Sequence, residues 1–153
     1  MKKIDSPLNY ALYLLELRDR SVFELEKKMK LKEFSDTDIA ETIKFLLDKK
    51  FLDDEKFAKH LSDSKMLSGE GKQKIKFRLV RAGIDKDIIE KTLENYNSER
   101  EFEKALEIGQ KIFAKNQKLE RGKLYQKIMG SLYRKGYDLD IAKEVTAKLL
   151  SQD

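Results

Sequence analysis

The chain has 153 residues, 40% hydrophobic and 40% charged, with one proline, seven glycines and no cysteine. That is enough apolar content to bury a core, and the absence of thiols excludes a disulfide framework, a cysteine nucleophile and a thiolate metal site. No apolar run approaches the about 18 residues of a membrane span, and the opening MKKIDSP has no leader-like apolar stretch, so a soluble, cytoplasmic protein is expected.

Few breakers and many long charged side chains point to helix along the whole chain. Ser6-Pro7 reads as a cap followed by a proline at the first helical position, opening a helix over residues 8–18. Its Leu8, Ala11, Leu12 and Leu15 recur at helical spacing, and Tyr10, Tyr13, Leu14 and Leu17 form a second apolar face, expected to pack on neighbouring helices. Ser21-Val-Phe-Glu24 is a capping box that opens the next helix. FLDDEKFA, residues 51–58, puts Asp53 at a cap with Asp54 and Glu55 in the first turn of a helix over 54–67, with Phe57, Ala58 and Leu61 inward. Three adjacent carboxylates there read as architecture, because a metal site needs further ligands and nothing marks them. A later helix over 99–114 carries Phe102, Ala105, Leu106, Gly109, Ile112 and Phe113 on its inner side.

Three segments repeat one pattern about 50 residues apart: KKMKLKEFSDTDIAETI (27–43), KFRLVRAGIDKDIIEKT (76–92) and MGSLYRKGYDLDIAKEV (129–145). In each, an apolar helical residue (Met29, Leu79, Leu132) is followed five positions later by Phe34, Ile84 or Tyr137, and then by an Asp-x-Asp-Ile. Gly83 and Gly136 stand where a helix ending turns left-handed, and the flanking apolar pair is the contact that accompanies a Schellman ending. The first Asp of each pair (Asp36, Asp85, Asp138) is expected to cap the next helix and the second (Asp38, Asp87, Asp140) to favour its positive end. In the first copy Glu33 replaces the glycine, and the extra residue Thr37 fits a looser turn. The expected fold is all-α: nine helices as three tandem three-helix repeats, over 1–52, 53–97 and 98–153, in an elongated, curved array.

Chemistry finds little foothold. His60 is the only histidine and no nucleophile is marked beside it, which excludes clusters built on several histidines. GEG at 69–71 is not a phosphate loop, since the longer glycine, lysine and hydroxyl pattern is absent. The expectation is a non-enzyme with no catalytic residue, no metal and no cofactor. One helix stands out, in GEGKQKIKFRLVRAG (69–83): Ile75, Leu79 and Ala82 make a core stripe, Lys74, Arg78 and Arg81 line one flank, Lys72 and Lys76 the other, and Phe77 points away from the core. A net charge of +5 and basic flanks around an aromatic suit nucleic acid or an acidic protein; a solvated basic helix with Phe77 packed on a neighbour reads equally well.

YALYLLELRDRSVFELEKKM, FLDDEKFAKHL and SGEGKQKIKFRLVRAGIDKDIIEKTL together resemble the RecX family of bacterial regulators of the RecA recombinase, over roughly residues 8–150. Glu33 departs from the usual Lys-Gly-Phe ending, and Lys65 stands where an arginine often follows the serine. The resemblance implies a protein that lodges in the groove of the RecA filament on single-stranded DNA and limits strand exchange, ATP hydrolysis and the co-protease activity behind the SOS response. On that basis Arg18 and Arg20, at the Arg-x-Arg positions, and Lys72, Lys74, Lys76, Phe77, Arg78 and Arg81 are the expected contacts. Charge pairing near a helix end is the plainer reading of Arg18 and Arg20. A monomer is the default, with weak non-specific DNA affinity as a possible accompaniment. The alternative is a protein acting on DNA directly through its helix-turn-helix-like pairs, although three divergent units of similar small charge fit a dimeric repressor poorly.

Overall fold

The computed structural model describes residues 6–151, so residues 1–5 of the opening MKKIDSP, on which the leader expectation rests, lie outside the described part. Among the described residues there are nine α-helices and no strand: α1 (Pro7–Leu17), α2 (Val22–Leu31), α3 (Asp36–Asp48), α4 (Asp54–Leu67), α5 (Lys72–Arg81), α6 (Lys86–Glu94), α7 (Ser98–Lys115), α8 (Arg121–Arg134) and α9 (Leu139–Leu150). No described helix is long and apolar enough to cross a membrane.

The helix starts are set by side chains that accept otherwise unpartnered amides. Ser6 accepts from the Asn9 N–H at 3.1 Å with Pro7 at the first helical position. The Ser21 and Glu24 capping box forms in full, and Asp53 accepts from the Lys56 N–H at 3.1 Å. FLDDEKFA is thus a helix start, as its pattern predicts.

The endings follow the repeat. The Ile84 N–H reaches the Leu79 carbonyl and the Gly83 N–H that of Val80, at 3.1 and 3.0 Å, and Tyr137 and Gly136 do the same towards Leu132 and Tyr133. Gly83 and Gly136 have φ of +73° and +95°. The first copy is not looser: Phe34 bonds to Met29 and Glu33 to Lys30, with Glu33 held at φ 65°. Its extra residue places Ser35 at the cap, accepting from the Asp38 N–H at 3.1 Å, so Asp36 lies inside the helix and is not the cap. Asp138 occupies the cap of α9 by backbone alone, without a side-chain bond to its amides.

The chain divides into two compact units. The first comprises residues up to His60 together with Leu79–Glu90. Its core is Ala11 and Leu14 from α1, Leu25 and Met29 from α2, Ile39, Ile43 and Leu46 from α3, and Leu52. Leu25, Met29 and Leu46 are fully buried, each contributing about 1.5–3 kcal/mol by burial. The buried stripe of α1 is rotated from the sequence expectation: Leu14 is inside and Leu12 outside, while Tyr10 packs on Phe34 with ring centroids 5.8 Å apart.

The second unit comprises Leu61–Arg78 and the chain from Lys91 onward. Ala105 of α7, Leu124, Ile128 and Leu132 of α8, Tyr137, and Ala142, Val145, Leu149 and Leu150 of α9 form its core. Gly109 sits where α7 meets this core, its position for a Cβ only 2.8 Å from Leu149 Cδ1.

Both units contain the same seam, in which the end of one copy's middle helix meets the start of the preceding copy's middle helix. In the first unit the buried Ser21 hydroxyl donates to the Ala82 carbonyl at 2.6 Å, and Asp54 Oδ1 accepts from the Val22 N–H at 2.9 Å. In the second unit the Gly71 N–H donates to the Lys135 carbonyl at 2.8 Å, and Glu101 Oε1 accepts from the Lys72 N–H at 3.1 Å. A Cβ on Gly71 would lie 2.4 Å from the Gly136 carbonyl carbon, which is why glycine replaces serine there.

Candidate partner-binding site

The α5 helix forms because Ile75 and Leu79 are fully buried and Ala82, just beyond it, is nearly so, leaving its polar residues on the outside. Phe77 is 60% exposed, on the outer side as its spacing predicts. Lys76 is exposed beside it, and Lys72 and Lys74 are half-buried near the start of the helix. Lys72 also gives its main-chain amide to Glu101.

Arg78 is engaged within the chain. Its Nε and Nη2 donate to the two oxygens of Glu70 at 2.6 and 2.5 Å, a fork that fixes both side chains. Burial pushes the Glu70 carboxyl up, but the Arg78 bonds and charge, with Lys74 and Lys65, outweigh it and hold the group below its ordinary value. Arg78 is raised in turn, chiefly by its bond to Glu70. Lys74 lies 3.9 Å from the same carboxylate. Arg81 is exposed at the far end of the helix.

Arg18 and Arg20 also meet groups of their own chain. Arg18 Nη2 lies 3.0 Å from Glu24 Oε2 and its Nη1 donates to the Asp19 carbonyl at 2.8 Å. Glu24 is the acid of the α2 capping box, so Arg18 braces a helix start. Burial raises the Glu24 carboxyl, while the Arg18 bond, the Ser21 amide and the charges of Arg18 and Arg20 bring it below its ordinary value. Arg20 Nε donates to the Leu14 carbonyl at 3.3 Å, closing the end of α1. His60 Nδ1 lies 3.1 Å from Asp19 Oδ2 at the surface. No group of three or more His, Cys, Asp or Glu able to hold a metal ion occurs among the described residues.

What the sequence did not bring together is a groove in the second unit. Gln73, Lys74 and Phe77 of α5 face Tyr133 and Arg134 at the end of α8, with Gly136, Tyr137, Asp138 and Leu139 at the turn into α9, around about 750 Å³ of open volume. Tyr133 is 62% exposed and Leu139 51%. Asp138, not used as a side-chain cap, accepts instead from Gln73 Nε2 at 2.9 Å. The available signal was the repeat itself: Tyr133 follows the buried Leu132 and so faces outward, as Val80 does after Leu79.

Comparison with known proteins places this geometry. Residues 8–46, 53–93 and 99–146 match, in order, the first, second and third three-helix domains of RecX. The chain is 34% identical over 145 residues to the regulatory protein RecX of Clostridium beijerinckii (strain ATCC 51743 / NCIMB 8052), covering 94% of this chain and 68% of that one. It is 36% identical over 141 residues to the regulatory protein RecX of Bacillus subtilis (strain 168), covering 91% and 53%. Its fold is similar to the crystal structure of RecX from Lactobacillus salivarius, with a TM-score of 0.85 and 27% identity over 94% of both chains. Three family domains in the family's own order, on relatives named as regulators, establish that the chain belongs to the RecX family.

Proposed function

We propose that this chain is a non-enzymatic, cytoplasmic regulator that binds the RecA filament on single-stranded DNA and restrains its strand exchange, ATPase and co-protease activities in DNA repair and the SOS response. The observation that carries the reading is the ordered match of three segments to the three-helix domains of RecX. We take the three repeats as 1–52, 53–97 and 98–153, so that weak contacts from each could add by multivalency.

Within this reading the contact surface is the outer side of α5, with Lys72, Lys74, Lys76 and Phe77. Arg81 follows near the end of the same helix, whereas Arg78, Arg18 and Arg20 act mainly by holding Glu70, Glu24 and the end of α1. ATP hydrolysis by RecA on single-stranded DNA, with this chain added below stoichiometry, tests the proposal. A Lys72→Gln/Lys74→Gln/Lys76→Gln variant, which leaves the Arg78–Glu70 pair intact, is run beside it. Inhibition by the parent and its weakening in the variant are expected. A parent that does not inhibit, yet binds DNA with a steep salt dependence, overturns the filament reading in favour of direct action on DNA.

A further inference from the structure

The groove between α5 and the α8–α9 turn combines exposed apolar side chains with cations at its edge. Three large apolar side chains, Phe77, Tyr133 and Leu139, are each more than half exposed around one open volume of about 750 Å³. A volume of that order falls within the range of ligand clefts, about 300–1,000 Å³. Two cations, Lys74 and Arg134, stand on its rim. Arg134 has no acidic partner among the described residues, and its guanidinium lies over Gly130, whose Cβ position is 3.1 Å from Nη1. The nearby carboxylates are already accepting bonds, Asp138 from Gln73 at 2.9 Å and Glu70 from Arg78 at 2.5 and 2.6 Å.

We infer that this groove binds a short acidic segment of a protein, burying one large apolar side chain among Phe77, Tyr133 and Leu139 and setting flanking carboxylates against Lys74 and Arg134. Single-stranded nucleic acid fits less well. Its phosphates need a basic track that continues along the strand, whereas this groove offers two cations, Lys74 and Arg134, and an aliphatic wall at Leu139. The inference deepens the filament reading, on which its biological setting rests, by giving the contacted element a chemistry.

The test uses the full chain, isotope-labelled, and three probes: the capped hexapeptide Asp-Glu-Phe-Leu-Glu-Asp, the same peptide with lysine at each acidic position, and a short oligothymidylate. The acidic peptide is expected to shift saturably the amide signals of Lys74, Phe77, Tyr133 and Leu139, and the basic peptide to leave them in place. Tyr133→Ala and Leu139→Asp should each weaken the acidic peptide by about tenfold or more. Both positions are exposed, and unchanged signals elsewhere confirm that either variant is folded. An equal response to both peptides, or a groove that answers only to the oligonucleotide, overturns the inference. Groove binding is read without RecA. Its failure with ATPase inhibition intact therefore sinks only this inference, and peptide binding without inhibition sinks only the filament reading.

Discussion

Arg78 shows how a single side chain can look like a contact and serve as a brace. Its five-donor fork finds Glu70, whose side chain is 13% exposed against 37% for the arginine. Removing the guanidinium leaves a mostly buried carboxylate with only Lys74, 3.9 Å away, for a partner; discounted for the exposure of Arg78, Arg78→Ala should cost about 1–2 kcal/mol in denaturant unfolding at neutral pH. Glu70 is held below its ordinary value in the folded chain, so its contribution is present above the unfolded carboxyl pKa of about 4.3. It is lost as pH falls through the lower folded value, and the parent and variant curves should converge there. A gap that persists at low pH would mean that the arginine stem, not its charge, matters. The pair escaped sequence reading because eight positions separate its members, Glu70 just before α5 and Arg78 within it, beyond the three- and four-residue spacings that helix rules cover. Lys74, by contrast, lies four residues after Glu70 and follows the familiar rule.

Among elements, the starts and ends of helices were the most legible part of the chain. Ser6-Pro7, the Ser21 and Glu24 box, Asp53, Gly83 and Gly136 all act as their types predict, because capping is local and chemically narrow. Lys50 went unnoticed: it takes φ of 60° at the end of α3, where Phe51 bonds back to Leu46 at 2.8 Å, and lysine carries no signal for that role. Asp54 and Glu101 were also opaque. Each caps an amide about 30 residues earlier in the chain, and that relation exists only once the helices have met. Burial raises both carboxyls above their ordinary values, against the bond each accepts. An acid raised on folding favours the folded state at low pH and loses that contribution as pH rises through the folded value. Asp54→Asn keeps an oxygen for the Val22 amide and removes the charge. Urea midpoints at pH 4, 5.5 and 7 should therefore show the variant gaining on the parent as pH rises. A constant difference would show that the bond, not the ionisation, sets the energy.

For the whole molecule, the repeat pattern gave the all-α class and the three-helix copies, since hydrophobic period and turn chemistry agree in each of them. It did not reveal that the two compact units exchange chain inside α4, α5 and α6, at residues 60/61, 78/79 and 90/91. Nor could it reveal the groove, whose walls come from segments more than 50 positions apart. The division makes a test possible. A fragment of residues 61–153 retains the Gly71, Lys72 and Gln73 bonds to Lys135, Glu101 and Asp138 and the buried Ile75, whereas 91–153 loses them all. The longer fragment should melt cooperatively by circular dichroism, and the shorter one at a midpoint lower by at least about 10 °C, the sum of several bonds of about 1 kcal/mol each. Equal midpoints would show that α7 to α9 are self-sufficient.

The two seams close with different atoms, a serine hydroxyl in one and a bare glycine amide in the other, and Gly71 has no room for even a methyl group. The two joints are therefore not interchangeable parts: a serine at position 71 would set a hydroxymethyl group against backbone, and a glycine at position 21 would leave the Ala82 carbonyl without its hydroxyl.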